Sequence, residues 1–200
     1  MGATLLVAGH RRARRPALVG PIAVGLCLLA PVGVYASWIE PARLRLERAT
    51  VSLDEARAGD GPIRVGVLAD IQTTRVTDYE IGAVDRLMAE RPDVIVLPGD
   101  LFQRPGRLDD ERPALRRLLG RLSAPGGVFF VLGDSDTRLG IESVTAGTGV
   151  RLVENGVVTT RVGGRPLTLG GIELPYGSPE ARRVVRRLET VPAGATSACS

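Results

Sequence analysis

The chain has 200 residues, a formal net charge of +4 and a pI near 9.8, with 44% hydrophobic and 4% aromatic residues. Its length suits one domain of ordinary size, and the apolar fraction is enough for a real core. The basic excess does not indicate nucleic acid, because every cation is Arg, the arginines are scattered among Asp and Glu, and no aromatic residues interleave with them.

The N-terminus opens with an arginine cluster, HRRARR15, that contains the only histidine, His10. The run from Pro16 to Ile39 that follows carries no charge. It is long enough to cross a hydrocarbon core of roughly 30 Å as a helix. The preceding cations place the N-terminus in the cytoplasm and everything beyond about residue 40 outside it. Tyr35 and Trp38 suit the far interface. The reading is a basic tail at 1–16, a membrane anchor at 17–39 and a juxtamembrane linker at 40–62. With Val34-Tyr-Ala36 as a cleavage site, the same run also reads as a signal peptide. Cys27, inside this run, and Cys199, near the other terminus, are not positioned to pair across a membrane.

Beyond the linker, IRVGVLA69 has the β-branched character of a buried parallel strand. Thr77-Asp-Tyr-Glu80 has the form of a capping box, and Ile81, Val84, Leu87 and Met88 mark the apolar face of the helix it opens. VIVL97 is the next strand, which completes a right-handed βαβ unit. A second helix is expected to start near Pro113 with Leu115, Leu118, Leu119 and Leu122 inside, and VFFVL132 is the third strand. RLVE154, VVTTRV162 and PLTLGGI172 then read as short strands divided by turns at Asn155-Gly156 and Gly163-Gly164. A last helix opens at Ser178-Pro179 with Ala181, Val184, Val185 and Leu188 on one face. Residues 63–190 thus form the folded domain, α/β in class, and residues 191–200, which show no pattern, are expected to be a disordered tail.

Three of these strands end on acids: Asp70, Asp100 and the Asp134-Ser-Asp136 triplet. In an open parallel sheet the pocket lies just beyond the carboxyl ends of the strands. Carboxylates gathered there repel one another unless a cation neutralises them. A divalent metal, or a pair, resolves that repulsion. Gln103 could contact a ligand beyond Asp100, Arg104, Arg107 and Arg138 could meet a phosphate near these strand ends, and Glu173 lies where a later active-site loop could begin. The favoured reading of each is a solvated loop position.

The succession LADIQT73, PDVIVLPGDLFQ103 and APGGVFFVLGDSD136 resembles the first three motifs of the calcineurin-like metallophosphoesterases, D-x-H, G-D and G-N-H-D. The likeness continues through GTGVRLVENGVVTTRVGGRPLTLGGIEL174. The Y-x-x-W-I-E-P that follows the apolar run is similar to the membrane-anchored bacterial branch. The resemblance implies a partial phosphoesterase sandwich of βαβ units and then short strands, after a transmembrane helix. It implies metal ligation by Asp70, Gln72, Asp100 and Asp134, with Asp100 bridging two ions. Gln72 replaces a histidine ligand, so the donor set is all oxygen and favours Mg²⁺ or Mn²⁺. Ser135 replaces the histidine that assists the leaving group, which leaves Asp136 nothing to orient. The family's later His and G-H-x-H have no counterpart in VPAGATSACS200, so the resemblance is to a C-terminally truncated member. The implied activity is hydrolysis of a phosphoester or pyrophosphate at the outer face of the membrane. Its substrate would be a phosphorylated small molecule or lipid-linked compound, with no nucleic-acid partner. The alternative is a catalytically inactive, membrane-tethered relative. D-x-Q-x-T after a strand also resembles haloacid-dehalogenase-like phosphatases, but Gln72 takes the place of their second Asp and the chain has no Lys.

Overall fold

The computed structural model describes residues 25, 27–35, 37, 43–52, 61–191 and 196–199. The chain divides into two compact units, Met1–Leu44 and Arg45–Ser200. Residues 27–34 of the first unit are helical. Among the described residues no helix is long and apolar enough to cross a membrane, and much of the expected anchor at 17–39 lies outside them.

The second unit is an α/β fold. Four parallel strands, β1 (Val65–Val67), β2 (Val94–Pro98), β3 (Val128–Val131) and β4 (Val150–Leu152), lie side by side in chain order. The connections carry helices α1 (Asp78–Ala89), α2 (Leu108–Leu119) and α3 (Arg138–Thr145). A second sheet holds β5 (Gly156–Val162) and β6 (Arg165–Gly171) as an antiparallel hairpin, with β7 (Thr196–Cys199) parallel to β6. Helix α4 (Pro179–Glu189) lies between β6 and β7 in the chain.

Strand alternation sorts the core into two clusters, because successive side chains point to opposite faces. Ile95, Leu97, Val128 and Phe130 face the helices and meet Val84, Leu115, Leu119 and Val144. Val94, Val96, Phe129 and Val131 face the other way, onto Val162, Leu167 and Leu169 of the second sheet. The far face of β6 carries α4, whose Val184 and Leu188 close directly over Gly170. The layers are therefore helices, sheet, sheet, helix. Cover is unequal at one edge: Val65 and Val67 are 42% and 56% exposed, although their β2 partners Val94 and Val96 are buried.

Most local expectations hold. The Thr77 hydroxyl and Glu80 carboxylate form the reciprocal capping box of α1, and Ser178 caps α4 with Pro179 in its first turn. Four differ. The second helix begins at Leu108, and Pro113 lies inside it. A proline suits a first helical position, but Asp109, Asp110 and Glu111 occupy the first turn, where the helix dipole favours acids. Asn155-Gly156 does not turn a hairpin, because β4 belongs to the parallel sheet and β5 to the second one. Val185, expected on the buried face of α4, is 42% exposed. Finally, Thr196–Cys199 form β7, where the sequence shows no pattern. Backbone pairing to the open edge of β6 needs no side-chain period, so no period announces it.

Among the described residues the linker meets the domain toward both of its ends. Near its C-terminal end the Gly61 carbonyl accepts from the Arg165 guanidinium at 2.6 Å. Arg48 makes a two-pronged contact with Glu90 at the end of α1, at 2.9 and 2.7 Å.

Candidate functional site

Because β1, β2 and β3 are adjacent and parallel, their carboxyl ends share one edge, and Asp70, Asp100 and Asp134 lie in the loops that leave it. These loops do not follow regular backbone. Asp70, Gln72, Gly99 and Asp100 have φ of 54°, 37°, 81° and 55°, in the left-handed region that L-residues rarely adopt. The chain turns this sharply because the two Gly-Asp steps are stacked. A Cβ on Gly99 would collide with the Gly133 backbone, and one on Gly133 would lie 2.6 Å from the Cγ and the N of Asp100. Only glycine at both positions lets the loops approach this closely.

Backbone hydrogen bonds then bind the first loop to the second. Gln72 N–H donates to the Asp100 carbonyl at 2.7 Å, and Thr73 N–H donates to the Leu101 carbonyl at 3.3 Å. Gln103 N–H returns a bond to Thr73 at 3.0 Å. Gln103 Nε2 also reaches Gln72 Oε1 at 3.4 Å.

Asp100 and Asp136 join the second loop to the third. Asp100 Oδ1 accepts from the Ser135 N–H at 3.0 Å and from the Ser135 hydroxyl at 2.8 Å. The Ser135 N–H and hydroxyl hold the Asp100 carboxyl below its usual range, against the desolvation that pushes it up. Asp136 is a staple rather than an acid without a role, which corrects the expectation from sequence. Its carboxylate accepts the N–H groups of Asp100 at 2.8 Å, Leu101 at 3.1 Å and Gly133 at 2.9 Å. Sequence carries no signal for this, because the three donors come from two loops more than thirty residues apart in part.

The structure thus brings Asp100 and Asp134 together and sets Asp70 and Gln72 on the adjoining, exposed loop. Among the described residues no three His, Cys, Asp or Glu side chains gather as a metal cluster. Carboxylate and amide oxygens are donors of the kind a hard divalent cation takes, and one Asp100 oxygen is already engaged by Ser135.

Of the arginines near this edge, Arg107 pairs with Asp110, and Arg138 pairs with Glu142 and Glu154. The Arg104 guanidinium makes no ion pair among the described residues. Glu154, just beyond β4, extends the row of strand-end acids to the fourth parallel strand and was not legible as a site residue. It lies close to Glu173, which is clasped by Asn155: the Asn155 amide donates to Glu173 Oε2 at 3.0 Å, and Glu173 N–H donates back to Asn155 Oδ1 at 3.1 Å. Glu173 Oε1 is sealed from solvent and has no hydrogen-bond donor among the described residues. Burial raises the Glu173 carboxyl above its usual range, the Glu154 charge adds to this, and Arg138 opposes it.

A carboxyl raised in the folded state contributes stability that is complete below its unfolded pKa and is lost as pH rises through the folded value. Glu173→Gln is therefore expected to stabilise the protein at neutral pH and to flatten the decline in stability above the ordinary carboxyl range. Urea midpoints measured across that range check this; an unchanged slope would mean that the sealed oxygen has a donor.

No protein-family model matches this chain, and no curated protein matches it. A protein of unknown function from Aquifex aeolicus, known from its crystal structure, aligns over 64% of this chain and 72% of its own, at 12% identity and a TM-score of 0.36. A likeness of that extent carries no argument about fold or function.

Proposed function

We propose that the domain is a metal-dependent phosphoesterase of the calcineurin-like kind, hydrolysing a phosphoester or pyrophosphate bond at the outer face of the membrane. The observation that supports this best is the shared edge itself. The loops that leave three consecutive parallel strands carry Asp70, Asp100 and Asp134, and two of these loops are in contact at Gly99 and Gly133. The helix–sheet–sheet–helix layering accords with the same reading.

In this reading Asp70, Gln72, Asp100 and Asp134 hold one or two divalent ions, Mg²⁺ or Mn²⁺ by their oxygen donors. Held by these residues, such ions would offset the carboxylate charge and supply Lewis-acid chemistry toward a phosphoryl group. The remaining tasks fall to the chain. Ser135 orients Asp100 through its hydroxyl, and Gln103 orients the Gln72 amide. Arg104, in the loop after Asp100, makes no ion pair among the described residues and would be a cation able to meet a phosphate oxygen. Ser135 cannot act as a near-neutral proton donor, which lowers the rate about 10²–10⁴-fold relative to an imidazole. The best substrates would therefore carry good leaving groups.

Stoichiometric Mn²⁺ binding by the full chain is the expected result in calorimetry, with loss of the heat in Asp70→Asn. Turnover of an activated phosphodiester should accompany it, and Arg104→Ala should raise KM roughly tenfold with little change in kcat. A folded protein with no Mn²⁺ heat would overturn the reading.

One observation favours a second reading, a phosphoesterase-like, membrane-tethered protein without catalysis. The loops satisfy themselves through protein groups: Asp100 takes both Ser135 donors, and Asp136 takes three backbone N–H groups. A site built on such internal bonds stands without a metal, and the absence of Mn²⁺ heat would select it.

A further inference from the structure

Helix α4 has a polar face that the site does not use. Ala181 and Val184 are buried, and Val184 and Leu188 lie over Gly170 of β6. At 3.6 residues per turn, Arg182, Arg183, Arg186 and Arg187 then project from the opposite side, and all four are exposed. Their partners are few. Arg182 donates to the Gly177 carbonyl at 2.6 Å, and Arg183 pairs with Glu180 at 2.6 Å. The guanidinium groups of Arg186 and Arg187 make no hydrogen bond or ion pair among the described residues. Together with Asn155 and Thr190, Arg183, Arg186 and Arg187 line a shallow open recess.

The loop before the helix adds a second feature. Leu174 and Tyr176 are 50% and 69% exposed, and Val185 on the helix is 42% exposed. Large exposed apolar side chains, a tyrosine among them, lie close in the chain to a row of four arginines, two of them without a side-chain partner among the described residues. Together they form the pattern of a surface that rests at a membrane interface. There the guanidinium groups meet phosphate and the apolar groups enter the acyl boundary. A nucleic-acid strand offers the same phosphates in water, so it rewards the arginines but not Leu174 and Val185.

We propose that the arginine face of α4, with Leu174 and Tyr176 ahead of it, is a docking surface for anionic lipid headgroups. This surface holds the domain against the membrane whether or not the aspartate edge binds a metal, so the inference is independent of the phosphoesterase reading.

The test uses the full chain with Trp38, its only tryptophan, removed as Trp38→Phe and a reporter installed by Tyr176→Trp. With vesicles of phosphatidylcholine and phosphatidylglycerol, the indole emission should shift to the blue and be quenched by brominated lipid. With phosphatidylcholine alone, neither should occur. Added salt should reverse the effect, and R186E/R187E should weaken it at least about thirty-fold in the anionic lipid needed. The reversal Arg117→Glu, on α2, should leave it unchanged. Circular dichroism confirms that each variant is folded. Equal shifts in neutral and anionic vesicles would overturn the proposal, and so would equal loss in Arg117→Glu. A shift produced by an oligonucleotide but not by vesicles would reassign the surface to nucleic acid.

Discussion

Gly133→Ala is expected to lower stability by about 3 kcal/mol, the combined cost of overpacking and of shifting a polar loop. For a chain of this size that corresponds to a drop of about 10 °C in Tm. The new methyl would fall 2.6 Å from the Asp100 carboxyl carbon and from its backbone nitrogen, and neither can retreat. The carboxyl is held by Ser135 at 3.0 and 2.8 Å, and the nitrogen is held by Asp136 at 2.8 Å. Gly99→Ala should be at least as damaging, because it meets the Gly133 backbone and also forces alanine to a φ of 81°. Gly106→Ala is the matched control: a Cβ there meets nothing within 4 Å, so its effect should stay within about 0.5 kcal/mol. Urea titrations of the three variants decide the matter. If Gly133→Ala and Gly106→Ala share a midpoint, the two aspartate loops are not packed against each other.

The second large effect concerns Asp136. Removing its carboxylate as Asp136→Ala strands the N–H groups of Asp100, Leu101 and Gly133, and unpaired donors of this kind cost about 1–3 kcal/mol each. The site is only half buried, so water recovers part of the loss, and a net destabilisation of about 4 kcal/mol is expected. Asp136→Asn should fall between, since it keeps an acceptor oxygen on one side while its NH₂ faces a donor on the other. Asp70→Asn should behave in the opposite way. That carboxylate is exposed and accepts no hydrogen bond among the described residues, so stability should change by less than about 0.5 kcal/mol, while the Mn²⁺ heat disappears. Thermal melts and calorimetry on the same two proteins separate a structural acid from a ligand. An unaffected Tm in Asp136→Ala would refute the staple.

Much of the fold can be read along the chain because its signals are local. The β-branched runs at Val94 and Val128, the Thr77–Glu80 capping box and the Ser178-Pro179 cap each depend on residues a few positions apart. So does the arrival of Asp70, Asp100 and Asp134 at strand ends. Two signals misled for the same reason that others succeeded. Pro113 and Asn155-Gly156 are ordinary local marks of a helix start and a turn, and each was overridden: the acids upstream moved the helix start, and the exchange between two sheets replaced the hairpin.

What the sequence determines by itself is the α/β alternation and the chemistry delivered to one edge, carboxylates and amides without imidazole. These follow from side-chain period and composition. Only the tertiary structure decides which acid is free and which is engaged. Asp70 and Asp136 look equivalent in sequence, each a carboxylate just past an apolar strand. One stands in solvent, and the other accepts three backbone N–H groups from two loops that meet through Gly99 and Gly133. A hydrogen-bond donor more than thirty residues away in the chain leaves no periodic trace. Its position becomes known only when parallel strands set their ends side by side.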